Sequence, residues 1–133
     1  MTQEEKELLL KDLSARLYYG VKVTYNISGS HYEEISTICG WELQYDDLIS
    51  FKLKNGLVVG CNIKPYLRPM SSMTEDEKLD YITLGDIKRY TNPQYAYLIS
   101  EQLDYLNAHH FDFRGLIPMG LALEAPEDMY KFD

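Results

Sequence analysis

The amino-acid sequence predicts an α+β fold of 133 residues in which helices flank a β-rich middle. Two observations lead to this prediction. Apolar residues recur at helical spacing near the N-terminus and again over residues 93–109. Between residues 21 and 63 they instead alternate with polar residues, as in strands that bury one face. Since a chain of this length builds one core rather than two, we predict a single domain over residues 1–133.

The first helix is predicted over residues 3–18. Thr2 and Glu5 have the spacing of a capping box, in which each side chain accepts the other residue's backbone N–H. Leucines then recur at helical spacing and form one apolar stripe: Leu9, Leu10, Leu13 and Leu17. Gly20 follows the last turn, where a left-handed residue commonly ends a helix.

Residues 21–63 are predicted to form four strands. The alternating positions, all apolar or aromatic except Thr37, are Val21, Val23, Tyr25 and Ile27, then Ile35, Thr37, Cys39, Trp41 and Leu43, then Ile49, Phe51 and Leu53, and finally Leu57, Val59, Cys61 and Ile63. Gly40 is expected to mark a bulge or bend in the second strand. Residues 121–124 are a candidate fifth strand. We expect these four to five antiparallel strands to curl into a small, SH3-like barrel.

The turn between the third and fourth strands has two possible lengths. A two-residue loop of Asn55 and Gly56 would place the apolar sides of the two strands on opposite faces of the sheet. A three-residue loop that also includes Lys54 instead pairs Phe51 with Val59, and all the large apolar groups then share one face. We therefore predict the longer loop, with Gly56 in the left-handed conformation of a G1 bulge.

Beyond the strands, Pro65 and Pro69 are predicted to end the sheet, with residues 64–69 running as extended chain over the surface. The C-terminal segment 115–133 is rich in turn residues. We expect its tail from Ala125 onward to be loosely held.

Two further helices are predicted between these segments. Thr74 and Glu77 form a second capping box, which opens a short helix over residues 75–84. Asn92 and Pro93 have the types preferred at an N-cap and at the first helical position. They begin a longer helix over residues 93–109.

Composition and charge exclude several classes of protein. The chain is 45% hydrophobic with a net charge of −8, and an acidic protein is poorly suited to sequence-independent binding of nucleic acid. The N-terminus is acidic and no apolar run approaches the ~20 residues of a membrane span, so we expect a cytoplasmic protein without membrane contact. Cys39 and Cys61 are too few for a disulfide framework and are expected to be small buried side chains.

One stretch of the chain is locally basic. Residues 48–73 contain four basic residues and no acidic residue. Together with one of the twelve tyrosines, these cations form the candidate binding set Lys52, Lys54, Lys64, Tyr66 and Arg68. An aromatic ring between cations can stack on a base or contact an acidic protein surface. A purely structural role for Tyr66, packed over the sheet edge, is the alternative.

The only close group of metal-ligand types is formed by His109, His110 and Asp112. Adjacent histidines on a helix point about 100° apart, so they do not readily share one ion. The alternative interpretation is that these histidines favour the negative end of a helix dipole. The acidic pairs and triplets flank predicted turns or open a helix, where solvated carboxylates are usual, and no nucleophile elbow or phosphate loop is present.

Three stretches of the sequence together resemble a known group of proteins. They are residues 17–23 (LYYGVKV), residues 64–75 (KPYLRPMSSMTE) and residues 109–125 (HHFDFRGLIPMGLALEA). They are similar to a family of uncharacterised small proteins from gut Bacteroides-type bacteria and their prophages or other mobile elements. Residues 24–62 have no part in the likeness. The resemblance implies a phage-like, cytoplasmic context and assigns no activity and no functional residue.

From these observations we predict a non-enzymatic binding or accessory protein that acts on a protein partner and needs no cofactor. Two alternatives stay open. The first is a nucleic-acid-associated module that uses the basic and aromatic set. The second is a small enzyme or metal site near His109 and His110.

Overall fold

The computed structural model describes residues 2–26, 33–43, 49–60, 63–86 and 95–130. Its helices are α1 (Gln3–Arg16), α2 (Glu75–Asp86) and α3 (Tyr95–Ala108). Its strands are β1 (Lys22–Asn26), β2 (Glu33–Leu43), β3 (Ile49–Leu53), β4 (Val58–Val59), β5 (Lys64–Leu67) and β6 (Leu123–Glu124). Short 3-10 turns follow α1 at Leu17–Tyr19 and precede α2 at Met70–Ser72.

The six strands form one sheet in the order β4-β3-β2-β1-β5-β6. All neighbouring strands are antiparallel except β5 and β6, which are parallel. The predicted α+β class is thereby confirmed. Within the described ranges β4 and β6 lie at opposite edges, so the sheet is open and a closed SH3-like barrel is not shown.

The N-terminal helix packs on one side of the sheet, as its leucine stripe predicts. The capping box is present, with Glu5 N donating to Thr2 Oγ1 at 3.1 Å and Thr2 N donating to Glu5 Oε2 at 3.1 Å. Gly20 ends the 3-10 turn with a φ of +70°. We call the side of the sheet that packs on α1 the inner face; its core residues are Leu9, Leu13, Val21, Val23, Tyr25, Ile38, Phe51, Leu53, Ile63 and Leu67. The opposite side is the outer face.

The predicted register of the β3–β4 hairpin is confirmed. Phe51 pairs with Val59, and Leu53 N donates to Leu57 O at 2.9 Å, which closes a three-residue loop. Gly56 has a φ of +91°, the left-handed conformation that a G1 bulge requires. Burial of Phe51 on the inner face therefore selects the register.

The predicted apolar face of the second strand is wrong. Ile35, which was predicted to be buried, is 53% exposed. Ile38, which the predicted alternation placed on the other face of the strand, is 1% exposed. The pairing of β2 with β3 shifts by one residue between Ile38 and Gly40, as expected of a bulge near Gly40. The extra residue, Cys39, is exposed rather than buried, and Trp41 returns to the same face as Ile38. Cys61, the other predicted buried cysteine, lies outside the described residues.

The prediction that Pro65 ends the sheet is also wrong. β5 pairs with β1 through Val23 and Pro65, and with β6 through Tyr66 and Leu123. Leu67 is fully buried, so this segment belongs to the core rather than to the surface. A proline loses one ladder hydrogen bond, and the pairing with the distant β6 and the burial of Leu67 compensate for that loss.

The remaining helices form a smaller second core. Both bonds of the predicted capping box between Thr74 and Glu77 are present, at 3.0 and 3.1 Å, and α2 runs slightly beyond its predicted end. The predicted start of the third helix, at Asn92 and Pro93, lies outside the described residues. The second core consists of Met73, Leu106 and Phe111, with Tyr81, Tyr105 and Phe113 packed against it. None of the helices in the described ranges has the length and apolar character of a membrane span.

A buried ion-pair network joins α1 to the C-terminal segment. Asp12 and Arg16 are fully buried, and Arg16 Nε lies 2.9 Å from Asp12 Oδ2. The second carboxylate oxygen of Asp12 accepts from Arg114 Nη1 at 2.7 Å. Arg16 Nη2 donates to Phe111 O at 2.6 Å. Two cations thus share one carboxylate inside the protein, which fixes the helix relative to residues 111–114.

Candidate functional site

The five residues of the predicted binding set do not form one continuous patch. Lys52 lies on the outer face of β3, and Lys64 lies on the outer face of β5 opposite Thr24. Three strand spacings separate these two lysines, a distance of about 14 Å between the strands. Tyr66 is half-buried and follows Lys64 by two residues. Arg68 is turned away from the lysines into a separate cleft.

That cleft has a volume of about 770 Å³ and is lined by Arg68, Pro69, Ser72, Thr74, Glu77, His109, Glu124, Ala125, Pro126, Glu127 and Tyr130. Its centre is a forked ion pair in which the Nη1 and Nη2 atoms of Arg68 donate to the two Glu77 oxygens at 2.8 and 2.7 Å. The guanidinium lies 4.2 Å from the centre of the Phe111 ring. The fork and the ring together hold Arg68 in one orientation.

The protonation states of Glu77 and His109 suit a structural role in the cleft better than a catalytic one. Hydrogen bonds from Arg68 lower the pKa of Glu77 to about 2, so its carboxylate stays ionised and is a very weak base. His109 Nδ1 lies 3.6 Å from Glu77 Oε2, and its ring stacks on Tyr105 at 4.2 Å. Burial lowers the pKa of His109 although Glu77 opposes the effect, and the imidazole is therefore mainly neutral near neutral pH.

The C-terminal segment is anchored, contrary to the expectation of a loose tail from Ala125. Ala125 N donates to Leu67 O at 2.8 Å. The Tyr130 hydroxyl accepts from Lys22 N at 2.8 Å and donates to Tyr66 O at 2.8 Å, so it bridges β1 and β5. Residues 131–133 lie outside the described residues.

His110 forms the other half of this anchor. Its ring stacks on Tyr130, with 3.7 Å between ring centroids. His110 has a φ of +62°, the left-handed region that few residues other than glycine adopt. The pKa of His110 is lowered to about 3, mainly by burial and to a smaller extent by the nearby positive charge of Arg16. The neutral ring is therefore a packing surface for Tyr130 across the physiological pH range.

The three candidate metal ligands have separate partners. His109 contacts Glu77 and Tyr105, and His110 packs on Tyr130. The Asp112 carboxylate accepts from two backbone groups, Leu116 N at 2.7 Å and Ile117 N at 2.9 Å. Across the described ranges no three histidine, cysteine, aspartate or glutamate side chains are grouped as metal ligands would be. These contacts give each of the three residues a structural role.

A second candidate site lies at the β4 edge of the sheet. Leu57 O and the backbone of Val59 face β3, since Leu57 O accepts from Leu53 N and Val59 pairs with Phe51. Because backbone groups alternate along a strand, the N–H and C=O groups of Val58 and Gly60 point toward the open side. β4 is the terminal strand of the sheet within the described ranges.

Three apolar side chains are exposed at or near this edge. Trp41 on β2 is 53% exposed, and Leu57 and Val58 are both more than 40% exposed. Lys52 and Lys54 are exposed nearby; Lys52 makes a 3.5 Å ion pair with Glu42, and Lys54 makes none within the described chain. We define the β4 end as Trp41, Lys52, Lys54, Leu57 and Val58. The uncharged run 57–60 was the sequence signal that could have identified it.

Lys54 also borders a shallow groove of about 480 Å³ on the outer face. Its floor includes Gly20, Thr37 and Gly40. Tyr18 also lines the groove and is 92% exposed.

Comparison of the chain with protein-family models, with curated proteins and with solved structures finds no match.

Proposed function

We propose that this is a non-enzymatic binding protein that acts on a protein partner through its β4 end. The observation that carries the proposal is the exposure of Leu57 and Val58 at an open sheet edge, together with the exposed Trp41 on β2, two strands in from that edge. Apolar and aromatic groups grouped on a surface are typical of interaction sites.

The polar surroundings of the β4 end support a partner that carries acidic groups. Lys54 has no ion pair within the described residues, and the exposed pair of Lys52 with Glu42 is worth little because water screens it. The chain as a whole has a net charge of −8, whereas residues 48–73, which include both lysines, contain four basic residues and no acidic residue. Charge complementarity of this kind selects partners and speeds association.

The charged groups of the cleft favour a binding role over an enzymatic one. Arg68 and Glu77 hold each other in an ion pair, and the low pKa of Glu77 makes its carboxylate a poor general base. The proposal includes a cytoplasmic protein of phage or mobile-element origin, and support for that part comes from the resemblance of residues 17–23, 64–75 and 109–125.

The proteins encoded beside this gene provide a direct test, because mobile-element modules commonly lie next to their partners. Each is purified and titrated against the chain by calorimetry. Leu57→Lys combined with Val58→Lys should abolish binding of the true partner, whereas Leu103→Lys, which alters an exposed leucine of α3, should leave it unchanged. Binding that ignores the double substitution contradicts the assignment of the β4 end, and the absence of binding by every neighbour counts against a protein partner.

A second candidate function is association with single-stranded nucleic acid. The observation that favours it is the nearly fully exposed Tyr18 beside Lys54, since a base can stack on such a ring next to a cation. Titration with an oligothymidine across a range of salt concentrations tests this function. Affinity that falls steeply with salt and is lost in Tyr18→Ala would favour nucleic acid over protein.

A further inference from the structure

We propose that the partner adds an extended segment as a new antiparallel strand beside β4, with apolar side chains on the inner face and acidic side chains on the outer face. This inference rests on the proposed function and specifies how the β4 end is used. Strand addition is a common mode of peptide recognition, in which backbone hydrogen bonds give affinity and alternate side chains give specificity.

The backbone of β4 presents the groups that strand addition needs. Val58 and Gly60 direct their N–H and C=O groups toward the open side, because Leu57 O and Val59 face β3. A residue placed opposite Val58 would exchange two hydrogen bonds with it, in the pattern of an antiparallel ladder.

The two edges of the sheet differ in how they are protected. Sheet edges usually carry charged residues or proline, which discourage the addition of strands. The β6 edge has both, since Glu124 is exposed and Pro126 follows shortly after. Residues 57–60, with the sequence LVVG, have neither. Among the described residues, the β4 edge therefore lacks the usual protection.

The two faces of β4 specify the side chains of the added strand. Val58 shares the outer face with Lys52, since these two residues pair directly. Leu57 and Val59 share the inner face with Phe51. An added strand that alternates acidic and apolar residues would place its carboxylates on the same face as Lys52, two strand spacings or about 10 Å away, and would extend the apolar surface on the other face.

A second copy of this chain fits the edge less well than such a segment. Pairing β4 with β4 of another copy would bring the uncharged run 57–60 against itself, so neither lysine of the β4 end would gain a carboxylate.

The test uses a capped decapeptide that alternates valine and glutamate, added to the full chain. Binding is measured by calorimetry and by hydrogen exchange of the Val58 and Gly60 amides. In antiparallel addition the glutamate opposite Val58 points its own N–H at β4, and the valines point theirs away. N-methylation of the glutamates should therefore weaken binding about tenfold or more, whereas N-methylation of the valines, the matched control, should change it little.

Each outcome decides the proposal. Selective loss with the glutamate-methylated peptide, together with slower exchange at Val58 and Gly60, supports it. Equal binding of the two methylated peptides, or greater loss with the valine-methylated one, overturns antiparallel addition while leaving the proposed function intact. A valine–lysine peptide that binds equally well contradicts the proposal that the added strand carries acidic side chains.

A valine–glutamate peptide that does not bind overturns this inference, and the proposed function is then tested by the neighbouring proteins alone. Sedimentation shows whether a second copy occupies the edge instead, which would also overturn it.

Discussion

Replacement of Glu77 by glutamine removes the negative charge of the Arg68–Glu77 pair and keeps a side chain of nearly the same size. Glutamine at this position can still complete the capping box with Thr74, so helix α2 should keep its start. The substitution removes the two charge-assisted hydrogen bonds from Arg68 at 2.8 and 2.7 Å. We expect Glu77→Gln to lower the free energy of unfolding, and we expect the size of that loss to depend on pH.

The magnitude follows from the depressed pKa of Glu77. A carboxyl whose pKa falls from 4.5 to about 2 on folding stabilises the folded state by up to about 3 kcal/mol. Both side chains of the pair are less than one-fifth exposed, and we allow for the remaining solvent screening by expecting about 1–2 kcal/mol. Because the folded pKa lies below the unfolded one, this stabilisation is complete above the unfolded pKa of 4.5 and is lost as the pH falls toward about 2.

Urea unfolding of the wild-type and substituted chains over this pH range provides the assay. Other carboxylates titrate in both chains, so the difference between the two unfolding free energies isolates Glu77. The control is Glu75→Gln, which alters a glutamate that is 91% exposed in the same turn of α2. A difference that stays constant with pH, or a Glu77→Gln chain as stable as the control, would refute the reasoning.

Three further substitutions test the rest of the fold. Asp12→Ala leaves the buried Arg16 without its carboxylate and should cost about 3–5 kcal/mol in urea unfolding; a loss of less than about 1 kcal/mol would contradict this account of the network. Tyr130→Phe removes the hydroxyl between β1 and β5 and should cost about 1 kcal/mol, with faster amide exchange at Lys22; unchanged exchange would be inconsistent with the bridge. Gly56→Ala should cost about 1 kcal/mol in thermal unfolding, because its φ of +91° disfavours any Cβ, and a neutral result would argue against the G1 bulge.

Local patterns in the sequence predicted the parts of the fold that local physics determines. Both capping boxes and the left-handed Gly20 need only residues within one turn of a helix. The register of the β3–β4 hairpin was predictable because only one loop length puts Phe51 and Val59 on the same face. In each case the interacting residues lie close together in the chain.

The failures involve residues far apart in the chain. The bulge at Cys39 reverses the order in which the side chains of β2 alternate between the two faces of the sheet. The position of the bulge depends on the pairing of β2 with β3. From the local sequence, Pro65 is expected to end a strand. The pairing of β5 with β6, which lies far away in the sequence, cannot be recognised from that local pattern. The cleft was missed for the same reason, since the C-terminal residues Pro126, Glu127 and Tyr130 line it together with Arg68. The structural use of Tyr130 likewise depends on strands more than sixty residues earlier.

The buried network of α1 has a consequence for the order in which the protein folds during synthesis. Arg16 donates to Phe111 O, Asp12 accepts from Arg114, and Lys22 N donates to Tyr130. During synthesis on the ribosome, the first helix is made early. Its charged residues Asp12 and Arg16 gain their full set of partners only when nearly all of the protein has been made. Contacts this distant in sequence slow folding, because the entropy of loop closure must be lost before they form. Until that moment the apolar side of α1 is open to other chains, and closure by the C-terminal segment shortens the time in which the new chain can aggregate.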